Sequence, residues 1–316
     1  MLSTTDFTPM LEAVCRAAQL CQRVQETQVH GVEKPGREPV TIADYGSQAI
    51  LCQALTQYFP NDAVIAEEQG EHFLNALPEE QRQHVAKLVG DTLQKVVTPE
   101  DVVRWLDHGR GRTAQRIWVI DPIDGTKGFL AGRHYTIALG LLEAYLPVAG
   151  VLGCPGYGEG KLVYALNGEA RRVGLTGGMP ERIHVSMRTP QERFHVVESV
   201  EQQHAAHDVM QQIYEQAGIT NREVLRVDGQ DKYALIASGD ADLYLRISPK
   251  ADYRERVWDH AAGVAVITAA GGTVTDKDGK PLDFSAGEKL ANNMSVIVSN
   301  GRAHEHIVRV TQAVTS

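Results

Sequence analysis

The sequence is poor in the features that mark several large protein classes. Its four cysteines, Cys15, Cys21, Cys52 and Cys154, form no C-x-x-C pair. A disulfide framework or a zinc site needs paired spacing, so free thiols of a reducing cytoplasm are expected. Positive charge is scarce as well: 31 Lys and Arg stand against 40 Asp and Glu, a formal charge of −9. A nucleic-acid polymer or an anionic membrane requires a basic face, so neither is expected as a partner. A small anion held by a local cluster or through metal ions is not excluded, and no obligate protein partner is inferred. The opening "MLSTTDFTPMLEAV" lacks the basic and long apolar regions of a secretory signal and carries an early acid, Asp6, so a cytoplasmic protein is expected. Long apolar runs are missing too. The most apolar window, Thr136 to Cys154, is interrupted by Gly140, Glu143, Pro147, Gly150 and Gly153. Two strands joined at "EAYLP" are expected there rather than a spanning helix. No internal repeat or low-complexity segment is visible.

What is present is ordinary for a globular chain: 316 residues, 43% apolar and 22% charged, enough for about two domains and a sizeable core. Thr8 as N-cap with Pro9 in the first helical position predicts an opening helix. "VTIADYGSQAILCQALTQYFP" predicts a short strand or turn and then a helix from about Tyr45 to Phe59. "DAVIAEEQG" predicts a strand ending in two glutamates, and residues 72–115 a helix-rich insertion in which Thr98, Pro99 and Asp101 form a capping signal. From Ile117 to about Val173 short β-like runs separated by hairpin turns predict an antiparallel or mixed sheet. Beyond that, strands alternate with helices, an α/β pattern, which places a soft boundary near Pro180 between a domain of residues 1–180 and one of residues 181–316.

Acids recur at the ends of apolar elements: Asp44 in "TIADYG", Glu67 in "VIAEEQG", Asp121 and Asp124 in "IDPIDGT", and Asp259 in "RVWDHAAG". Singly, Asp44 and Asp259 read as helix caps and Asp124 as a turn brace. Jointly, oxygen ligands without histidine or cysteine suit Mg²⁺ or Mn²⁺, with Asp121 and Asp124 able to bridge two ions. Such ions would offset the cost of burying carboxylates. Gly125 permits close backbone approach, backbone N–H groups after it can hold phosphate oxygens, and Thr126 brings a hydroxyl that can position water. The D-x-D phosphatase pattern with a nucleophilic aspartate does not apply, because these acids are three apart, D-P-I-D.

"AEE", "WVIDPIDGT" and "VWDHAAG" followed by "AAGG" closely resemble the three signatures of the lithium-sensitive, magnesium-dependent phosphomonoesterases that include inositol monophosphatase. "DPIDGTKGFL", "PVTIADYGSQA", "VESVEQQHAAHD", "DGQDKYALIASGDADLYLR", "YRERVWDHAAG" and "KPLDFSAGEKL" resemble the 3′(2′),5′-bisphosphate nucleotidases within them, from about Leu11 to Val310. The resemblance implies an α/β (α+β) fold, a layered αβαβα sandwich of the inositol monophosphatase and fructose-1,6-bisphosphatase type. It implies Mg²⁺, two or three ions, as cofactor, with Mn²⁺ as an alternative and Li⁺ inhibitory. Glu67, Asp121, the Ile123 carbonyl, Asp124 and Asp259 would be the ligands, and Asp44 and Thr126 would orient or deprotonate the attacking water. His207, Lys232 and Arg246, with Gly125 and the loop at Gly229 and Gln230, would meet the substrate. The activity implied is release of the 3′-phosphate of adenosine 3′,5′-bisphosphate.

Three departures from the family pattern stand out: Gly229 where serine is frequent, "FLAG" without the usual arginine before its glycine, and Asp231 beside Lys232. His204 and His207, spaced H-x-x-H, read as solvated histidines when no third ligand is near, and Arg246 by itself reads as a salt-bridge arginine. Two rivals remain at this level: an inositol monophosphate or inositol polyphosphate 1-phosphatase, and a non-catalytic phosphate-ligand sensor on the same scaffold.

Overall fold

The computed structural model describes residues 2–27, 31–32, 40–200, 207–248, 250 and 252–315. The chain opens with α1 (Thr4–Thr27), a short ladder of β1 (Gly31–Val32) with β2 (Val40–Thr41), and α2 (Ile42–Tyr58). β3 (Ala63–Ala66) precedes α3 (Gly70–Ala76), α4 (Glu79–Leu93) and α5 (Pro99–Leu106). Then come β4 (Arg116–Asp124), the short α6 (Thr126–Leu130), and β5 (Thr136–Glu143), β6 (Leu146–Cys154), β7 (Lys161–Leu166), β8 (Glu169–Gly174) and β9 (Gly177–Arg182). β3 to β9 form a seven-stranded sheet in sequence order, with β3 parallel to β4 and the remaining neighbours antiparallel. The second half holds β10 (Phe194–Glu198), α7 (His207–Gln216), β11 (Arg222–Arg226), α8 (Asp231–Ala237), β12 (Leu243–Arg246), α9 (Ala261–Ala269), β13 (Thr273–Thr275), β14 (Val296–Ser299) and α10 (His304–Thr315). Its five strands lie in the order β11-β10-β12-β14-β13. Pro180 lies inside β9, the last strand of the first sheet, and the second sheet begins at Phe194.

Period-two alternation distributes the strand side chains between cores. Trp118 and Ile120 of β4, and Ile137, Leu139 and Leu141 of β5, pack with α1 and α2. Ile117, Val119 and Ala138 point to the opposite face, where Ala234 and Ala237 of α8 and Ala262, Val266 and Ile267 of α9 meet them. Tyr244, Val296 and Val298 of the second sheet close that same core from beyond the helices. The far face of the second sheet, with Val196, Leu243 and Ile297, is covered by Ile213 of α7 and Ile307 of α10. The layers are therefore α, β, α, β, α, as the resemblance implied.

The glycines that interrupt the apolar window have a packing role. Gly140 and Gly150 face each other across β5 and β6, and a Cβ on Gly140 would lie 2.9 Å from the backbone nitrogen of Ala262. They let α9 lie close against the sheet, which sets the position of Asp259 and His260 just before it. The predicted turn is present, with Ala144 and Tyr145 both at positive φ, the primed geometry of a two-residue hairpin. No helix among the described residues is long and apolar enough to cross a membrane. All four cysteines are free, and Cys21, Cys52 and Cys154 are buried.

Two helix starts differ from expectation. α1 begins at Thr4, and Pro9 lies within it. Ser3 and Asp6 make a reciprocal cap, Asp6 N donating to Ser3 Oγ at 3.1 Å and Ser3 N to Asp6 Oδ2 at 3.2 Å, while the Thr8 hydroxyl donates back to the Thr4 carbonyl. α2 begins at Ile42 rather than near Tyr45, because Thr41 is its cap. The capping box of Thr98 with Asp101 is formed as expected.

Candidate active site

The parallel pair β3 and β4 ends at one edge of the sheet, with Ala66 opposite Ile120 and Glu67 N donating to the Ile120 carbonyl at 3.3 Å. Glu67 and Asp121 therefore leave their strands side by side. Beyond Asp121 the register against β5 slips, since Asp121 faces Ala138 but Asp124 faces Thr136, leaving an extra residue on β4. Pro122, which has no N–H to give the ladder, lies in this bulge. The turn is held from three sides. Ser47 Oγ donates to the Pro122 carbonyl at 2.9 Å, Ile123 N to Asp121 Oδ1 at 3.1 Å, and Thr126 Oγ1 to the Ile123 carbonyl at 3.1 Å.

Asp44 is buried in the first turn of α2, where Thr41 N and Thr41 Oγ1 both donate to its Oδ2 at 2.7 Å. It is the acid of a capping box whose cap is Thr41, not itself the cap. Asp259 is not a cap either: His260 precedes α9 without a side-chain cap bond, and Asp259 Oδ2 accepts from Arg246 at 3.4 Å.

The electrostatics tie these acids together. Burial drives the Asp121 carboxyl well above its ordinary value, and the charges of Asp124, Glu67, Asp259 and Asp44 add to the rise in that order. Burial raises Asp124 as well, but Lys232 and Arg246 oppose it. One side of the site is thus acid against acid, and the other is acid against Lys232 and Arg246. Asp44 and Asp121 are buried and Glu67, Asp124 and Asp259 half-buried, and carboxylate oxygens of this kind are the donors that suit a hard divalent cation. The trio that closes to ligand-atom spacing among the described residues is a different one, a candidate acidic metal-binding cluster of Glu255, Asp259 and His260 with ligand atoms within 4.8 Å of one another. Arg246 Nη2 stands 2.7 Å from Glu255 Oε2 and 3.4 Å from Asp259 Oδ2, so a guanidinium already serves this cluster.

On the substrate side, Gly125 (φ +92°) and Gly229 (φ +64°) touch backbone to backbone across a separation of about a hundred residues, and a Cβ on Gly125 would lie 2.9 Å from Gly229 N. A Cβ on Gly229 would overlap the Asp124 carbonyl oxygen and lie 3.0 Å from Thr136 Oγ1. A serine side chain therefore has no room at this position in this backbone. Asp231 is fully buried, and both its oxygens are engaged. It accepts from Thr136 Oγ1 at 2.8 Å and pairs with His134 Nδ1 at 2.6 Å, a bond that raises the His134 pKa.

Lys232 is buried, donates to the Val227 carbonyl at 3.2 Å and lies 5.2 Å from the Tyr244 ring centroid. Burial lowers its pKa to about 8 against the opposing pull of Asp124. The backbone of His207 opens α7, while its side chain, like all of His204, lies outside the described residues.

Glu255 and His260 belong to this neighbourhood although the sequence motifs did not assign them roles, and Gln230 of the expected substrate loop joins them. Gln230 donates to the Trp258 carbonyl at 3.0 Å, accepts from Gly263 N and also bonds Asp124. The available signal was the density of polar residues around "RERVWDHAAG". A cleft of about 520 Å³, with Ala66, Glu68, Arg110 and Glu288 in its walls, opens along the outer edge of β3 beside Glu67.

The chain is similar to known proteins along nearly its whole length. The model of the inositol monophosphatase family matches residues 5–316. A 3′(2′),5′-bisphosphate nucleotidase of Emericella nidulans is 36% identical over 96% of this chain and 96% of its own. One of Oryza sativa is 37% identical over 95% of this chain and 92% of its own. Among solved structures, an IMPase of Thermotoga maritima has a TM-score of 0.69 at 22% identity, covering 99% of this chain and 98% of that one. CysQ from Bacteroides thetaiotaomicron has a TM-score of 0.63 at 21% identity, covering 94% and 97%. With a family model that spans nearly every residue and relatives similar along almost their whole length, this chain belongs to the inositol monophosphatase family.

Proposed function

We propose that this chain is a Mg²⁺-dependent phosphomonoesterase that hydrolyses the 3′-phosphate of adenosine 3′,5′-bisphosphate to AMP and phosphate, with the 5′-phosphosulfate analogue as a further substrate. The observation that carries it is the buried Asp121 among four other acids, with Lys232 and Arg246 beyond Asp124. The Emericella nidulans and Oryza sativa relatives, both 3′(2′),5′-bisphosphate nucleotidases, supply the substrate class. Residues 1–180 would furnish most cation ligands, and residues 181–316 Asp259 and the nucleotide-side contacts.

Glu67, Asp121, Asp124, Asp259 and the Ile123 carbonyl would hold two or three Mg²⁺, or Mn²⁺ in its place, and the bound ions lower the pKa of water and offset charge on the leaving oxygen. Li⁺ would inhibit at the same ligands. Thr41 fixes one oxygen of Asp44, and the Asp44 carboxylate takes the proton of the attacking water. The Thr126 hydroxyl gives its own hydrogen to the Ile123 carbonyl, so its oxygen orients that water by accepting from it. The water oxygen joins phosphorus, the bond from phosphorus to the ribose 3′-oxygen breaks, and a proton ends on that oxygen. The N–H groups following Gly125 would hold oxygens of the reacting phosphate, while His207, Lys232, Arg246 and the Gly229 backbone would receive the 5′-phosphate and the nucleoside. Catalysis of this kind rests on positioning and charge. The protein would work in the cytoplasm, on a small anionic nucleotide rather than a polymer.

The test is phosphate release in Mg²⁺ from adenosine 3′,5′-bisphosphate and, in parallel, from inositol 1-phosphate, each with and without Li⁺. Preference for the nucleotide with lithium inhibition is expected. Preference for inositol 1-phosphate would replace the substrate, and silence on both would favour a phosphate-binding sensor.

A further inference from the structure

We propose that Gln48 is a positioning residue: its side-chain amide holds the backbone of the residue after Glu67 and so aims the Glu67 carboxylate at a divalent cation. The proposal rests on the reading of Glu67 as a metal ligand and goes beyond it by giving a task to a helix residue that had none.

β3 ends at Ala66 and α3 starts at Gly70, so Glu67 stands on a connection that belongs to no helix or strand. The backbone groups of such a connection must find partners outside it. Glu67 N donates to the Ile120 carbonyl, on the β4 side. β3 is the edge strand of its sheet, and among the described residues no strand lies beyond it. Gln48 supplies the missing partner for Glu68. Its Nε2 donates to the Glu68 carbonyl at 2.7 Å, and its Oε1 accepts from Glu68 N at 2.9 Å. One amide side chain thus bonds the N–H and the C=O of one residue, as a neighbouring strand would. Two residues on, Gly70 N donates to Asp107 Oδ1 at 2.9 Å. Glu67 is therefore fixed through the backbone on both sides.

Gln48 is itself held. It is fully buried on α2, one residue after Ser47, whose Oγ donates to the Pro122 carbonyl at 2.9 Å. Residues three and four apart share a helix face, so Asp44, Ser47 and Gln48 look the same way. A single helix therefore carries Asp44, braces the turn between Asp121 and Asp124, and braces the residue after Glu67. α2 lies tightly against α1, since a Cβ on Gly46 would come within 3.0 Å of the Leu20 side chain. Remove the amide of Gln48 and two buried backbone groups lose their partners, a loss the connection can repair only by moving. Glu67 would move with it. Groups that orient a metal ligand from behind typically cost roughly 10–100-fold in affinity when removed.

The experiment is titration of the substrate-free protein with Mn²⁺, the unbound ion being followed by electron paramagnetic resonance, for wild type, Gln48→Met, Glu67→Gln and the two combined, each below its own melting temperature. Methionine keeps the length of glutamine but makes neither bond. Gln48→Met is expected to weaken Mn²⁺ binding roughly 10–100-fold. The combined variant is expected to bind no more weakly than Glu67→Gln alone, because Gln48 acts through Glu67. Wild-type Mn²⁺ affinity in a Gln48→Met protein that has merely lost thermal stability would overturn the proposal, and so would losses that add in the combined variant. Unchanged affinity in Glu67→Gln is a separate failure, since it would remove Glu67 from the ligand set and with it the reading beneath the proposal. Should Gln48→Met not fold, the wild-type protein decides through hydrogen exchange of the Glu68 amide, measured by nuclear magnetic resonance in chelator. Slow exchange without metal is expected, because Gln48 already holds that N–H; exchange that slows only when Mg²⁺ is added would show that the cation orders this connection, and the proposal would fall.

Discussion

Substituting serine for Gly229 should do harm in this structure. Gly229 has φ +64°, where a side chain costs about 1–2 kcal/mol. The new Cβ would overlap the Asp124 carbonyl oxygen and crowd Thr136 Oγ1 at 3.0 Å. Backbone is less able to yield than a flexible side chain, so overpacking adds about 1–3 kcal/mol. The sum, roughly 2–5 kcal/mol, predicts a melting temperature lower by roughly 3–8 °C for a chain of this length. Because the displaced group is the backbone of Asp124, kcat should fall at least about tenfold. Gly229→Ala carries the same Cβ without the hydroxyl and separates the causes. If the Cβ decides, both variants lose stability and turnover alike in differential scanning calorimetry and steady-state kinetics. A serine variant with unchanged melting temperature and a lower KM would show that the backbone relaxes freely and that the argument from close contact is wrong.

Asp44→Asn should remain folded and bind Mg²⁺ while losing about 10²–10⁴ in turnover, as expected for removal of a general base; near-normal kcat would take Asp44 out of the mechanism. Asp121→Asn keeps an acceptor for Ile123 N but removes a charge that burial and four like neighbours disfavour, so in chelator its melting temperature should rise although metal binding and activity disappear. Retained Mg²⁺-dependent turnover in that variant would refute the role of Asp121. Lys232, with a pKa lowered to about 8 first by burial, should lose its charge as pH rises through that value, so kcat/KM for the bisphosphate falls on the alkaline side. The sign for stability is opposite, since the cost of a buried ammonium is present at low pH and is relieved from about pH 8 toward the ordinary lysine value. An alkaline limb that persists in Lys232→Met would assign the titration to another group.

Much of this molecule is decided locally. The interruptions at Gly140, Glu143, Pro147, Gly150 and Gly153 made two strands of an apolar window, because glycine and a mid-window turn suit a hairpin and not a spanning helix. The acids of "AEE", "DPIDGT" and "WDHAAG" could be read together in sequence because a hard cation needs several oxygens and little else. Polar edge strands were not legible: β9 is exposed along its length, and β11 is mostly so, so neither shows a buried face to alternate. The start of α1 was missed because the cap of Ser3 with Asp6 competes with the Thr-Pro signal, and a serine-acid box satisfies first-turn donors that Thr8 cannot reach.

Only the tertiary structure could assign the remaining roles, since each joins residues far apart in the chain. Gly229 is required by the Asp124 carbonyl, Asp231 is claimed by His134 and Thr136, and Glu255 shares Arg246 with Asp259. Sequence lists the charges, but which cation neutralises which acid depends on distances of a few ångströms, and packing of the two sheets around α8 and α9 sets those.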